Sequence, residues 1–172
     1  IELANKHPRV NILNPGSGVG GHCIPVDPWF IINNNEHLTK LLQTSREVNL
    51  NKTIWVATKI QETASKIEQK IENRKVKIAL LGLSYKPDID DLRESPSVDI
   101  ANILSETRKY EILIVEPNIH TLPEELENNQ KLCEFNDVLD KSDIAVILIS
   151  HTQFNSPSKW QEFAGILLDF SK

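Results

Sequence analysis

The chain contains no methionine, and only two of its 172 residues are cysteines, Cys23 and Cys133. A chain of this length can bury an apolar core without disulfides, so we expect both thiols to stay reduced, as in the cytoplasm. No apolar run reaches about 18 residues, and no basic segment followed by an apolar one opens the chain. The sequence therefore predicts neither a membrane-spanning nor a freshly secreted protein.

An excess of positive charge is also lacking. Nineteen Lys and Arg residues stand against 24 Asp and Glu residues, which leaves a net charge of -5. This balance gives no bulk attraction to nucleic acid or to anionic lipid. The hydrophobic share of 40% is typical of a folded chain, and the length fits one domain with an appended segment. Because the opening residues IELANKHP read like the end of a helix, we expect the chain to be part of a longer protein.

Proline and glycine are concentrated at one end of the chain. Residues 5–35 hold four prolines and four glycines, a density that excludes a regular helix. Apolar side chains such as Ile24, Trp29 and Phe30 follow the glycines closely, whereas flexible linkers are polar and repetitive. We therefore expect an ordered loop that packs onto the rest of the protein.

The remaining chain divides into a helical and an alternating part. From His37 to about Arg74 apolar residues recur at helical spacing without proline or glycine, which predicts one helix of about 37 residues and about 55 Å. Beyond it, short apolar runs at 77–83, 111–115, 143–150 and 165–170 alternate with a helical pattern at 98–109 and a short run at 138–142. This alternation predicts an α/β fold with a parallel sheet buried on both faces. The chain should pair a long helix with a small doubly wound domain.

The glycine-rich loop fits the spacing G-x-G-x-x-G from Gly16 to Gly21, but its context argues against a dinucleotide fingerprint. That motif needs a strand before it and a helix opening at its last glycine, whereas Asn14-Pro15 precedes this run and Pro25 follows it closely. The glycines instead allow a sharp turn and a close approach of backbone to a ligand, just before Cys23.

Cys23 is the candidate nucleophile of the chain, although a free cysteine is more often buried and inert. The glycines before it and the proline after it favour exposure, and His22 and Asp27 are the nearest groups that could activate its thiol. His22, Cys23 and Asp27 lack a second spaced Cys/His pair, so the sequence predicts no metal site.

A second candidate segment follows the first predicted strand. Its sequence, LLGLSYKPDIDDLRESPS, places a long polar turn where open α/β sheets bind ligands. Lys86 and Arg93 are its candidate phosphate partners, the alternative being solvated loop charges, and Ser95 with Pro96 predicts a helix start. Gly82 has no neighbouring glycines, so this turn should not cradle a pyrophosphate.

Taken together, GSGVGGHCIPVDPWFI (16–31) and GLSYKPDIDDLRESPS (82–97) resemble the UDP-glucose/GDP-mannose dehydrogenase family. Members of that family have an N-terminal NAD-binding domain, a central helical dimerisation region and a Rossmann-like C-terminal UDP-binding domain. The resemblance covers the last two. It implies that residues 1–74 hold the active-site loop and the central dimerisation helix, and that residues 75–172 form the UDP-binding α/β domain.

The resemblance also assigns roles to individual residues of the loop. The family pattern G-x-G-G-x-C-x-x-x-D is matched by Gly18, Gly20, Gly21, Cys23 and Asp27. It implies that Cys23 is the nucleophile, that Asp27 is its polar partner and that the glycines line the substrate site.

Four further assignments follow from the same resemblance. His22 is typical of members that act on N-acetylhexosamines rather than glucose, and Lys86 would contact the nucleotide sugar. Arg93 would reach NAD bound by the adjoining domain, and Arg9 would enter the neighbouring subunit's substrate site. The family's catalytic Lys and Asn would lie before residue 1.

The implied activity is the oxidation of C6 of a UDP-N-acetylhexosamine to the uronate by two NAD, for surface polysaccharide synthesis. UDP-N-acetylmannosamine is the favoured substrate, and Cys23 would hold the intermediate as a thiohemiacetal and then a thioester. A fragment without the NAD-binding domain should be inactive by itself. Two alternatives stay open: a UDP-glucose 6-dehydrogenase, or a non-catalytic module for UDP binding or dimerisation.

Overall fold

The computed structural model describes residues 1–9, 15–127, 130–155 and 157–171. A short 3₁₀ turn at Ala4–Lys6 and two α-helices come first, and strands then alternate with helices to the end of the described chain. The α-helices are α1 (Asp27–Asn34), α2 (Lys40–Glu68), α3 (Pro96–Glu106), α4 (Glu124–Glu127), α5 (Phe135–Leu139) and α6 (Pro157–Glu162). The strands are β1 (Lys77–Leu81), β2 (Glu111–Val115), β3 (Gln130–Leu132), β4 (Ile144–Ile147) and β5 (Ile166–Asp169). Two more 3₁₀ turns lie at Glu36–Leu38 and Thr152–Phe154.

The five strands form one parallel sheet in the order β3-β2-β1-β4-β5. In the centre Ala79 pairs with Leu113 on one side and with Ala145 on the other. Parallel strands need crossover connections, and helices supply them on both faces of the sheet. The expected Rossmann-like α/β fold is confirmed.

Each face of the sheet is covered by different helices. Ile78 and Leu80 of β1 point into a core cluster that includes Val56 and Ile60 of α2 and Leu104 of α3. The alternate residues of β1 point to the opposite face, where residues of α5 and α6 pack with Phe154. The long helix is therefore part of the core of the sheet domain, because one of its faces closes that domain.

The long helix is shorter than the sequence predicts. It spans 29 residues, Lys40–Glu68, instead of the whole segment 37–74. Before it, Thr39 leaves the helical region with φ -108° and ψ 21°, and its hydroxyl donates to the carbonyl oxygen of Asn35 at 3.0 Å. After it, Asn73 adopts a left-handed φ of 63°, which turns the chain towards β1. Apolar periodicity without glycine or proline did not reveal either break.

The segment 5–35, expected to exclude a regular helix, contains α1, because Pro28 lies in the first turn, where proline is tolerated. Other segments also differ in detail from the pattern. The helix predicted at 98–109 is α3, which begins at Pro96 with Ser95 as its N-cap and ends before Arg108, whose φ is 54°. The short run at 138–142 is the end of α5 and a turn. Cys133 lies just beyond β3, and its N–H donates to the carbonyl oxygen of Ile114 at 2.7 Å.

Candidate active site at the glycine-rich loop

The glycine-rich loop lies along the buried face of α2 through two polar side chains of that helix. The hydroxyl of Thr53 donates to the carbonyl oxygen of Ser17 at 3.3 Å. One turn earlier, Asn49 binds Val19 twice: its Oδ1 accepts the Val19 N–H at 2.8 Å and its Nδ2 donates to the Val19 carbonyl oxygen at 3.4 Å. The loop is therefore an ordered part of the fold, but these hydrogen bonds hold it and not the expected apolar packing, because Ile24, Trp29 and Phe30 are exposed.

Two of its glycines are required by close contacts. A Cβ on Gly20 would lie 2.5 Å from the carbonyl oxygen of Glu94 and 2.8 Å from Tyr85. Gly21 has a left-handed φ of 99°, and a Cβ there would lie 2.9 Å from the Tyr85 ring. Any larger residue would push the loop away from the turn after β1. The glycines thus join two segments that are far apart in sequence.

Cys23 follows at a tight turn that ends the loop. Its carbonyl oxygen accepts the N–H of Val26 at 3.1 Å and that of Asp27 at 2.8 Å, and α1 begins at Asp27. The side chain of Cys23 is exposed, and both cysteines are free thiols. The structure thus presents the thiol to solvent instead of burying it.

A cavity of about 540 Å³ opens beside this turn. Gly18, Gly20, Gly21, His22 and Cys23 line one side of it. The opposite side comes from the ends of two adjacent strands of the sheet. Those residues are Tyr85, Lys86 and Pro87 after β1 and Leu148, Ile149 and Ser150 after β4. Open α/β sheets bind ligands beyond their carboxyl ends, which is where this cavity lies.

Arg93 lies at the edge of the glycine-rich loop, outside the residues that line the cavity. Its Nη2 is 3.4 Å from Nδ1 of His22, and its guanidinium forms a close ion pair with Asp91 at 2.6 Å. Hydrogen bonds from Arg93 lower the pKa of Asp91 to about 2. The pKa of Arg93 is raised, chiefly by its hydrogen bonds with the Asp91 carboxylate. Arg93 is thus a cation close to the candidate nucleophile.

Besides Arg93, two more predicted site residues are not brought into the cavity. Asp27 is exposed in the first turn of α1 and is joined to Cys23 by the backbone bond described above. Arg9 is exposed, and its N–H donates to Nδ1 of His7 at 3.3 Å. Residues 10–14, which include Asn14 of the predicted loop, lie outside the described part of the chain.

A buried polar cluster stands behind the loop that carries Lys86. Glu116 follows β2, and its Oε2 accepts the N–H groups of Leu83 and Ser84 at 2.7 and 3.0 Å. It also accepts a hydrogen bond from Nε2 of His151 at 3.0 Å. Burial raises the pKa of Glu116, but the bonds from His151, Ser84 and Leu83 outweigh it and the net pKa lies below the usual value. The carboxylate is therefore charged and fully hydrogen-bonded.

Sequence reasoning missed several of these residues. Asn49 and Thr53 lie on the apolar face of α2, and polar residues at core positions of a helical pattern are the signal that could have identified them. Ser150 follows β4, the neighbour of β1, so the sheet order would have placed it at the same site. Glu116 and His151 are 35 residues apart. Nothing in the local sequence joins them.

The residues that the structure describes offer no cradle for a bound dinucleotide. In the described loop, Gly21 leads into a turn at Cys23 and not into a helix, and the N–H groups after β1 are taken by Glu116. Within the described residues no group of three or more His, Cys, Asp or Glu side chains could hold a metal ion. No helix there is both long and apolar enough to cross a bilayer.

Comparison with known proteins points to one family. The UDP binding domain of the UDP-glucose/GDP-mannose dehydrogenase family matches residues 79–170, and the central domain of that family matches residues 1–51. A UDP-N-acetyl-D-mannosamine dehydrogenase of Campylobacter jejuni is 51% identical over 156 residues, 90% of this chain and 37% of the relative. The enzyme of the same name in Escherichia coli (strain K12) is 47% identical over the same shares.

A solved structure agrees with these sequence matches. The UDP-D-ManNAc dehydrogenase of Pyrococcus horikoshii has a TM-score of 0.73 and 27% identity, and the match covers 99% of this chain and 43% of that one. The sheet order, the cavity at its carboxyl edge and these matches define part of a nucleotide-sugar dehydrogenase. The chain belongs to the UDP-glucose/GDP-mannose dehydrogenase family. It spans 37% of the length of these curated relatives.

Proposed function

We propose that this chain is the active-site loop and UDP-binding part of an NAD-dependent UDP-sugar 6-dehydrogenase. Its substrate is a UDP-N-acetylhexosamine, with UDP-N-acetylmannosamine favoured, and its product is the corresponding uronate for surface polysaccharide. In this proposal residues 1–74 carry the catalytic loop and the central helix, and residues 75–172 bind UDP. The names of the two curated relatives support the choice of sugar.

The observation that carries the proposal is the meeting of Cys23 and Lys86 on one cavity. A nucleophilic thiol and a cation that suits phosphate come from segments more than 60 residues apart, and the glycine contacts with Tyr85 and Glu94 hold those segments together. A module that only bound UDP would have no use for an exposed thiol at the same cavity.

Cys23 explains how one site performs two oxidations. Its thiolate adds to C6 of the intermediate aldehyde, and the aldehyde oxygen takes up a proton to give a thiohemiacetal. Loss of a hydride and a proton from this adduct gives a thioester, and water then cleaves the C–S bond to release the carboxylate and return the thiol. The covalent bond keeps the aldehyde from escaping between the two oxidations.

The neighbouring residues bind and orient the substrate. Lys86 contacts the nucleotide diphosphate, and Gly18, Gly20 and Gly21 let the sugar approach the backbone. His22 faces the N-acetyl side of the sugar, and Asp27 holds or moves a proton for the attacking water. Arg9 reaches the substrate site of a second subunit.

NAD is the oxidant in each of the two steps, taking a hydride when it is bound. Because the described residues offer no dinucleotide cradle, NAD binds mainly outside this chain, and Arg93 reaches it from the edge of the loop. The chain by itself is therefore inactive. A free catalytic thiol needs a reducing compartment, which places the enzyme in the cytoplasm.

A second copy of the chain is the proposed partner. Leu41, Val48 and Trp55 follow one another at seven-residue spacing, so they lie along one face of α2, and 84%, 64% and 47% of their surfaces are exposed. Such an apolar row on a helix whose opposite face is buried is typical of an interface between helices. We place the homodimer contact on this row.

Turnover of a panel of UDP-sugars by the full-length protein tests the proposal. We expect UDP-N-acetylmannosamine to give the highest kcat/KM, with NADH as the measured product. Higher turnover of UDP-glucose would favour the UDP-glucose 6-dehydrogenase alternative. UDP binding without turnover of any sugar would favour a non-catalytic module.

A further inference from the structure

Glu116 occupies an unusual place for a buried carboxylate. It follows β2 directly, and its side chain has no exposed surface. In dinucleotide-binding folds an acidic residue at the end of the second strand binds the ribose of the ligand, and the backbone N–H groups after the first strand face its phosphates. Here the acidic side chain is turned onto those very N–H groups, of Leu83 and Ser84.

The hydrogen bonds of His151 show which atom is the donor between His151 and Glu116. Its Nδ1 accepts the backbone N–H of Asp88 at 2.9 Å, so the proton of the neutral ring lies on Nε2 and is donated to Glu116. The groups that face the ring are Glu116, Asp88 and Asn118, together with the hydroxyl of Ser84. Oε2 of Glu116 thus receives three N–H donors, and its Oε1 accepts two more from the backbone and side chain of Asn118.

We infer that Glu116 is an internal anion which fills the position of a ligand phosphate at the N–H groups after β1 and, with His151, positions Lys86 for the substrate. Those N–H groups, of Leu83 and Ser84, consequently bind no phosphate of a ligand. The nucleotide diphosphate is directed to the glycine-rich side of the turn, where Lys86 lines the cavity. Glu116 and His151 are positioning residues and do not touch substrate.

Lys86 lies between two residues that this pair fixes. Ser84 is bound through its N–H to Glu116, and its hydroxyl donates to the carbonyl oxygen of Lys86 at 2.8 Å. Asp88 is bound through its N–H to His151, and its carboxylate accepts the N–H and the hydroxyl of Thr152 at 2.9 and 2.7 Å. Asp88 has a left-handed φ of 59°, a conformation that these bonds maintain.

The first test asks whether the position is an anion site, and it does not depend on the proposed function. In the full-length protein, Glu116→Ala leaves a carboxylate-sized space with unpaired donors and should lower the melting temperature. Sodium formate should raise the melting temperature again, more than sodium chloride at equal ionic strength or neutral formamide. Gln130→Ala is the matched control, because Gln130 is an equally long, buried side chain on β3 that binds Ser105 and Ala101 instead. Formate should not raise the melting temperature of Gln130→Ala more than sodium chloride does.

The second test asks whether the pair positions Lys86, and it rests on the proposed function. Glu116→Ala should raise KM for the UDP-sugar about tenfold while kcat changes much less, and formate should lower KM again. Glu116→Gln keeps the volume, but its NH2 group must face either the donors on Oε2 or those of Asn118 on Oε1, so it should raise KM as well. Glu116→Gln is the variant to measure if Glu116→Ala fails to fold.

Each result decides one claim. A formate effect absent from Glu116→Ala, or equal in Gln130→Ala, would overturn the internal anion. An unchanged KM in variants with lowered melting temperature would show that the pair only stabilises the fold. If the wild-type protein turned over no UDP-sugar, the proposed function would fail, and the melting experiment would still decide the anion site.

Discussion

The backbone N–H of Gly21 donates to the carbonyl oxygen of Arg93 at 3.2 Å, which joins the loop of Cys23 directly to the turn after β1. These segments are more than 70 residues apart, and each contributes one side of the proposed substrate cavity. The geometry of the site therefore depends on how closely the two backbones approach. That dependence can be tested at the glycines themselves.

Gly20→Ala should disturb the site, because the added Cβ would lie 2.5 Å from a backbone oxygen that cannot move without shifting the turn. We expect a loss of about 1–3 kcal/mol in the free energy of unfolding, and a higher KM for the UDP-sugar. Thermal unfolding and steady-state kinetics of the full-length protein measure both.

Gly16→Ala is the matched control, since a Cβ there would meet only a carbonyl oxygen at 3.8 Å, an ordinary contact. It should leave stability and KM nearly unchanged. Equal effects of the two substitutions would mean that the close approach at Gly20 has no special role.

Asp27→Asn tests the proton-transfer role of the residue that follows the Cys23 turn. Loss of a positioned acid or base slows a step by about 10²- to 10⁴-fold, so hydrolysis of the thioester should slow while substrate affinity changes little. Single-turnover experiments measure the hydrolysis step separately from substrate binding. An unaltered hydrolysis rate would reassign Asp27 to the geometry of the turn at the start of α1.

The ion pair between Arg74 and Asp143 should contribute to stability in a pH-dependent way. The guanidinium binds both carboxylate oxygens at 2.7 and 2.8 Å, and the side-chain bonds with Arg74 lower the pKa of Asp143. The pKa of Asp143 is lower in the folded chain than the ordinary value of 3.8, so its ionised form stabilises the fold at pH values above 3.8. This stabilisation is lost as the pH falls through the lower pKa of the folded state.

Arg74→Gln should therefore lower the melting temperature at pH 7 by roughly 1–4 °C, and the difference from wild type should shrink below about pH 4. Lys59→Gln removes an exposed pair within α2 and should have the smaller effect. Parallel pH dependences of Arg74→Gln and wild type would contradict this reading.

The apolar row on α2 predicts that the chain self-associates. In sedimentation, the chain should form a dimer, and the double variant Leu41→Lys, Val48→Lys should be a monomer, because burying two charges at a helix interface is costly. Leu167→Lys, on an exposed apolar residue of β5, should stay dimeric. A monomeric wild-type chain would remove the interface.

The fold class was predictable because buried parallel strands lack polar alternation, so runs such as KIALL and EILIV identify a doubly wound sheet directly. The ends of α2 were not, since the residues that flank it, Thr39 and Gln69, have no strong helix-breaking tendency. The three-residue strand β3 is too short to carry a pattern.

The site was predictable where the chemistry is local. Cys23 with its glycines, and Lys86 on the turn after β1, could be selected from sequence, and the structure brings them to one cavity. The residues that hold these two loops in place could not be predicted, because Asn49, Glu116 and His151 act through contacts made only by the folded chain.

The most direct test of the account is the number of NADH molecules formed for each UDP-N-acetylmannosamine consumed by the full-length protein. Wild type should form two, and Cys23→Ser should stall after one or continue only slowly through an ester, with substrate affinity nearly unchanged. Two NADH at an undiminished rate from Cys23→Ser, or equal losses of affinity and turnover, would contradict the covalent role of Cys23.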